Sequence, residues 1–239
     1  MITAIIAHKN YNEYLKDAIN SCLSQTIKVN YVVIDDGSTT PPEPPEWPII
    51  KDDKYTVYGL NNDKFIYLKE SVGPSLARNI AISECWDYTE YFQILDADDI
   101  MLPQKCERLL NNFDNNTGVV YGDYFIETDG VRKMEFKPPY SQNQFINECM
   151  VHSGSLISKI ALTKVVENGC FFYDNQLRCA EDYDLFTRIS EKMMIKHVPE
   201  FLTIVKEHKN NSTNTVSSNI WQQCLQRLHQ KRIQRNAKY

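Results

Sequence analysis

Residues 2–7, Ile-Thr-Ala-Ile-Ile-Ala, are almost wholly apolar with little alternation. A strand of that kind is buried on both faces, as parallel strands covered by helices are. The next segment places Leu15, Ala18, Ile19, Cys22 and Leu23 at i, i+3, i+4, i+7 and i+8, one stripe of a helix. Asn10 or Asn12 is expected to cap it. Tyr31 to Ile34 forms a second apolar strand that ends in Asp35-Asp36-Gly37-Ser38. Strand, helix and strand in so short a span imply a parallel pair with a right-handed crossover. The chain therefore reads as α/β, a mostly parallel central sheet flanked by helices, with a smaller antiparallel element.

The rest of the chain extends this pattern. Residues 41–48, Pro-Pro-Glu-Pro-Pro-Glu-Trp-Pro, exclude helix and central strand and predict an extended loop. Phe65 to Leu68 and Tyr91 to Leu95 predict further strands, and Gly73-Pro74-Ser75 starts a helix between them. Pro103 opens a helix carrying Cys106, Leu109, Leu110 and Phe113. After about residue 118, Val119 to Ile126 and Val131 to Phe136 predict strands joined by a turn at Asp129-Gly130. Helices are expected near 158–168, closed by Gly169, and near 181–193, and a last strand at Phe201 to Val205. The Asn-rich stretches 111–116 and 210–214 read as loops. One domain over 1–218 and a basic helix over 219–239 account for the 239 residues.

Composition narrows the function classes. The net charge of -5 argues against nucleic acid as a partner. The seven cysteines are odd in number and contain no Cys-x-x-Cys pair, so they read as buried free thiols in a reducing, cytoplasmic compartment. The apolar start stops at His8-Lys9, too short for a signal-peptide core. No run approaches the roughly 20 apolar residues of a membrane span. Trp221, Cys224, Leu225 and Leu228 share one side of the tail helix, which is rich in Lys and Arg. That helix either lies peripherally on an anionic membrane or packs on the domain with a solvated basic face; the second reading is preferred.

Five groups of residues carry candidate chemistry. Asp35-Asp36 lies at the carboxyl end of a strand, where open parallel sheets bind ligands; the alternative is a simple turn. Asp96-Ala97-Asp98-Asp99 lies at another strand end, and its carboxylates repel one another unless a cation compensates. Hard oxygen donors of this kind suit Mg2+ or Mn2+; the bland reading is a polar helix start. Glu181-Asp182 begins a helix, where carboxylates are favoured anyway, or supplies a general base. Arg78, the lone cation in an apolar helix, reaches a phosphate or snorkels to the surface. His208 is a surface histidine or a metal ligand.

The order of these groups resembles the family 2 glycosyltransferases, which have the GT-A fold. The resemblance rests on Thr3 to Asn10, Tyr14-Leu15, Ser24-Gln25-Thr26, Val33 to Thr39, Gly73 to Asn79, Ile94 to Asp99, Ser153-Gly154-Ser155 and Glu181 to Arg188. It spans about residues 2–208, most specifically in the first hundred. It implies a nucleotide-sugar-binding half over 1–100 and an acceptor-binding half over 101–218. It further implies that Ala7, His8 and Asn10 line a nucleoside pocket, that Asp36 holds base or ribose, and that Arg78 sits near the nucleotide. Asp96, Ala97 and Asp98 correspond to the metal and diphosphate motif, with His208 as a further metal ligand. Asp99, Ser153, Gly154 and Glu181 would contact sugar or acceptor, and Asp182 would be the catalytic base of an inverting transfer. The cofactor implied is Mn2+ or Mg2+, the donor a UDP-sugar, and the acceptor a glycan, a lipid-linked molecule or a protein. Lys9 and Thr40 stand where the family commonly has Tyr and Asp.

Three other classes fit these residues less well. A non-catalytic sugar-nucleotide binding module would not need both Asp96/Asp98 and Asp182. A haloacid-dehalogenase-like phosphatase would use Asp96 as nucleophile but leaves Asp36 and Asp182 without a role. A nucleotidyltransferase needs a Gly-rich phosphate loop, and the chain has eight glycines in all.

Overall fold

The structure is a computed structural model that describes residues 1–166, 172–209, 211 and 216–236. Cys170, the expected helix closure at Gly169 and most of the 210–214 loop lie outside the described residues.

β1 (Ile2–His8), β2 (Val29–Asp35), β5 (Asp63–Leu68) and β6 (Tyr91–Asp96) form the parallel centre of the sheet, in the order β5, β2, β1, β6. β1 and β2 run in register from Ile2 opposite Val29 to His8 opposite Asp35. Their continuous apolar runs are explained by two cores, one on each face. Ile5, Val32 and Ile34 point into one core, while Ala4, Ile6 and Val33 point into the other. Helix α1 (Asn12–Leu23) covers the second face with Leu15, Ala18 and Cys22. Helix α2 (Pro74–Glu84) covers the first with Ala77, Ala81 and Ile82.

Antiparallel pairs enter at both ends of the sheet, although β8 and β11 at one end run parallel. β3 (Ile49–Asp52) and β4 (Tyr55–Leu60) extend it beyond β5 as a meander. Neither strand was expected from the sequence; the Pro-rich loop before them is irregular, as predicted. On the other side β10 (Leu156–Ser158) joins β6 to β8 (Thr117–Thr128), which pairs in turn with β11 (Met194–Lys206) and with β9 (Val131–Glu135). β7 (Ile100–Met101) closes this edge against β11. The fold is thus α/β with a mixed sheet.

Several sequence boundaries shift. The first helix has no side-chain cap: Tyr11 occupies the cap position and Asn10 is left-handed, with φ 60. Asn10 instead accepts from the Thr39 amide and hydroxyl at 2.9 and 3.0 Å. α3 (Lys105–Leu110) begins two residues after Pro103 and ends before Phe113. α4 (Gln142–Phe145) is a single turn. The helix expected from 158 is α5 (Lys159–Val165), capped by the Ser158 hydroxyl, which accepts from the Ala161 amide at 3.2 Å. α6 (Glu181–Ser190) stops early, because Met194 already pairs with Thr117 in the sheet. The last strand is correspondingly longer than the predicted 201–205.

The tail helix α7 (Ser218–Asn236) packs on the body, with Cys224 and Leu228 buried. Its basic face is not simply solvated. Lys231 Nζ lies 3.0 Å from Asp174 and 2.8 Å from Asp184, and Arg235 holds Glu191 at 2.8 Å. Asp184 is fully buried and also receives Arg188 at 2.9 Å, so α6 and α7 share one charge network. Six cysteines are free among the described residues, five of them buried. No described helix is long and apolar enough to cross a membrane.

Candidate active site

The carboxyl ends of β1, β2 and β6 open onto a cavity of about 520 Å³. This is where an open α/β sheet places ligands, because the loops diverge there. Ala7, His8, Asp36, Arg78, Asp96, Ala97, Asp98, Asp99, Ser153, Glu181 and Asp182 all line it. These eleven are half of the lining residues, and they come from segments spread between positions 7 and 182. Asn10, Gly154 and His208 lie outside the lining and act on it through neighbours.

The floor is built from hydrogen-bonded pairs. The Nε2 of His8 accepts from the Tyr11 amide at 3.1 Å, so its Nδ1 carries the proton and donates to Asp35 at 2.8 Å. This buried pair bolts the end of β1 to the end of β2. Burial opposes the Asp35 charge, but His8 and Ser38 outweigh it and hold the carboxyl below its ordinary pKa.

Asp36 fastens the start of α2. One oxygen accepts from the Val72 amide at 2.6 Å; the other accepts from the Ser71 hydroxyl at 2.8 Å and the Gly73 amide at 3.1 Å. These amides precede α2, whose N-terminus favours a carboxylate. The approach is allowed by Gly37, with φ +61. A Cβ there would meet the backbone of Glu70 and Ser71 at 2.6 Å.

Arg78 links the two acidic motifs. Its guanidinium donates to Asp96 at 2.7 Å and to Glu181 at 2.6 Å. Burial works against its charge, yet the two carboxylates raise its pKa above the ordinary value. The snorkelling alternative is therefore excluded: Arg78 points inward and is 7% exposed. Its buried Nε has no hydrogen-bond partner among the described residues. Asp96 in turn is held below the usual carboxylate range, because Arg78 overcomes the cost of burial. Ser153 adds a weaker hydrogen bond to Asp96 at 3.3 Å.

Asp98 faces the other way. Its Oδ2 lies 3.0 Å from His208 Nε2 and accepts from the Asn211 side-chain Nδ2 at 3.2 Å. His208 is stacked on Tyr14 at 4.9 Å, which fixes the imidazole plane. Burial and the charge of Asp96 raise the Asp98 pKa. A cation would relieve that repulsion, and a carboxylate oxygen beside an imidazole suits Mn2+. Asp98 and His208 thus fit a divalent ion as a pair. Asp96, the third expected ligand, is engaged by Arg78, and no cluster of three such ligands exists among the described residues.

Asp182 lies at the first turn of α6 and lines the same cavity. Burial, and then the neighbouring Glu181, push its carboxyl up to about 7. Its hydrogen bond comes from the amide of Tyr183 at 2.7 Å. The residue before the helix, Ala180, is left-handed with φ 58, a conformation that is strained for any residue with a Cβ.

A buried support lay outside the sequence reading. Gln93 donates to the Gly154 carbonyl at 2.9 Å and holds the 153–155 loop against β6. The Nδ1 of His152 accepts from the Gly154 amide at 3.1 Å, and burial lowers its pKa to about 3, so the ring is neutral. A Cβ at Gly154 would meet that ring at 3.0 Å. Burial also lowers Lys105 to about 8; it donates to Thr203 at 2.8 Å behind the site. Asp99 is raised well above its usual pKa by burial, Asp96 and Asp98. Only Gln93, a polar residue within the apolar run 91–95, carried a sequence signal.

Comparison with known proteins accounts for this arrangement. The model of the family described as Glycosyl transferase family 2 matches residues 3–154. An uncharacterized glycosyltransferase of Rickettsia typhi is 28% identical over 229 residues, covering 90% of this chain and 66% of that one. A teichoic acid poly(glycerol phosphate) polymerase of Staphylococcus epidermidis is 31% identical over 157 residues, covering 62% of this chain and 20% of that one. Among solved structures, S. aureus TarS in complex with UDP superposes with a TM-score of 0.66 at 16% identity, covering 95% of this chain and 64% of that one. A mannosyltransferase from Pyrobaculum calidifontis, in complex with GDP-Man and Mn2+, gives 0.57 at 13% identity, covering 88% and 57%. The chain thus spans less than two thirds of the length of each of these four proteins. These likenesses identify the fold as GT-A, and the family match over most of the sheet and its acidic strand end makes the chain a member of glycosyltransferase family 2.

Proposed function

We propose that this protein transfers a sugar from a UDP-linked donor to an acceptor hydroxyl, inverting the anomeric configuration, with Asp182 as general base. The observation that carries this reading is the convergence of Asp96, Asp98 and Asp182 on one cavity. Inverting displacement needs both kinds of group in one site: carboxylates that can bind a cation for the leaving diphosphate, and a base for the attacking oxygen. Solved relatives with bound UDP and UDP-GlcNAc support the donor class.

The roles in this reading are as follows. Ala7 and His8 form the floor under the nucleoside, and Asp36 orders the loop before α2 beside it. Arg78 is the buried cation nearest Asp96 and stabilises negative charge on the donor side. Asp98 and His208 would hold a divalent cation, Mn2+ or Mg2+, with Asp96 next to it. When bound, that cation neutralises the diphosphate leaving group. Asp182, poised near neutrality, accepts the acceptor proton as its oxygen attacks. Asp99, Ser153 and Glu181 shape the space for the sugar. Gly154 leaves the room that His152 occupies.

The test is a panel of nucleotide sugars, assayed for UDP or GDP release and for thermal stabilisation, with and without Mn2+. Release from a UDP-sugar that depends on Mn2+ is expected. Binding without release under every acceptor condition would instead make the protein a sugar-nucleotide binding module.

A further inference from the structure

The acceptor wall of the cavity carries two residues that have had no role so far. Arg178 lies on the loop before α6, four positions from Asp182, and lines the cavity. It is exposed, and no hydrogen bond or ion pair holds its guanidinium among the described residues. The contrast with Arg78, clamped by two carboxylates, is direct. Trp221 comes from the tail helix, 39 positions after Asp182, and lines the same cavity.

The position of Trp221 is fixed. It packs with Ile220 and Val216 against a small core of Leu177, Cys179 and Cys224. Lys231 and Arg235 hold α7 to Asp174, Asp184 and Glu191 farther along. The loop that carries Arg178 belongs to the same small core through Leu177 and Cys179. The body therefore presents one anchored aromatic surface and one uncommitted guanidinium beside Asp182.

These two features select a ligand chemistry. An aromatic face packs on the apolar C–H face of a sugar ring. A free guanidinium at a cavity mouth pairs with a phosphate or carboxylate through two parallel N–H donors. We infer that Arg178 and Trp221 form an acceptor subsite for a sugar that bears an anionic group. This assignment rests on the glycosyltransferase reading above. It also gives the tail helix a function: α7 is a wall of the acceptor site.

The experiment is calorimetric titration of the full chain, saturated with UDP and Mn2+ so that the diphosphate site is filled. The probes are glucose, glucose 6-phosphate and glucuronate. Both anionic probes are expected to bind about tenfold or more tightly than glucose. A preference for only one of the two identifies phosphate or carboxylate as the group read. Arg178→Ala should abolish the preference, and Arg178→Lys should restore part of it. Trp221→Ala should weaken all three sugars together, and Trp221→Phe should weaken them less.

The inference is overturned if the wild type shows no preference, if no probe binds, or if the preference survives Arg178→Ala. A loss of UDP affinity in Arg178→Ala that matches the loss of sugar would place Arg178 on the donor instead. Failure of the wild type to bind UDP at all would strike the nucleotide-sugar reading itself, which separates the two failures.

Discussion

Two regions of this cavity are built by different means. At the carboxyl end of β2, Asp35 and Asp36 have their partners already in place. His8, Ser38, Ser71 and the amides of Val72 and Gly73 surround them. At the start of α6, Asp182 has a backbone amide and an unfavourable neighbour, Glu181. The first arrangement uses polar groups for rigidity. The second leaves a carboxyl uncompensated, so its proton is exchangeable near neutral pH. A rigid floor and a reactive wall are therefore products of satisfied and unsatisfied charge in the same fold.

The sharpest attack on this contrast is Asp182→Asn. Transfer should fall by about 10² to 10⁴ in kcat, with UDP affinity retained. Loss of UDP binding together with turnover would erase the division of labour. The same site predicts pH dependence. Transfer should rise as pH increases through about 7, as Asp182 loses its proton. Stability should move the opposite way. A carboxyl whose folded pKa exceeds its unfolded value binds the proton more tightly when folded. Its contribution is present at low pH and declines as pH rises from the ordinary carboxylate range to about 7. Asp182→Asn should therefore raise the melting temperature at pH 8 and leave it unchanged at pH 4. A variant equally stable at both would deny that the charge is strained.

On the donor side, Asp98→Ala should lower Mn2+-dependent UDP affinity by about tenfold or more, as judged from losses at metal-site partners. Titration with and without Mn2+ checks it. Asp36→Ala should act through structure first. It strands the Val72 and Gly73 amides and should cost about 1–3 kcal/mol, read by denaturant unfolding. Were that variant as stable as the wild type, the floor would not be prebuilt. The smallest effect expected is Lys231→Met, about 1 kcal/mol or less because Lys231 is partly exposed. Its melting temperature should drop slightly while UDP binding is kept, since Lys231 does not line the cavity.

Legibility in the sequence followed the same division. β1, α1 and β2 could be read because burial on two faces leaves a local mark, an unbroken apolar run followed by a helical stripe. Asp36, Asp96 and Asp98 could be read because acidic clusters at strand ends are conspicuous. β3 and β4 could not. Ile49 and Ile50 are exposed and only Val57 and Gly59 of β4 are buried, so their pairing depends on β5 and leaves no clean alternation. β10, three residues long, exists because β6 and β8 flank it. The support by Gln93, Lys105 and His152 escaped for the same reason: Gln93 meets Gly154 across 61 positions and Lys105 meets Thr203 across 98. The tail helix was recognised as a packed helix, but its ion pairs with Asp174, Asp184 and Glu191 require knowing which loops lie beneath it.

The tight contact at Gly37 has a consequence for how this protein tolerates change. Gly37 does not line the cavity, yet a single added methyl group there would press on the backbone at Glu70 and Ser71. The displaced segment carries the three groups that grip Asp36. Damage would thus travel from an inert position to the Asp36 end of the cavity through main chain alone. Glycine at 37 is required by the shape of its neighbours, and its replacement would register in the laboratory as a weakened protein with every side chain of the cavity intact.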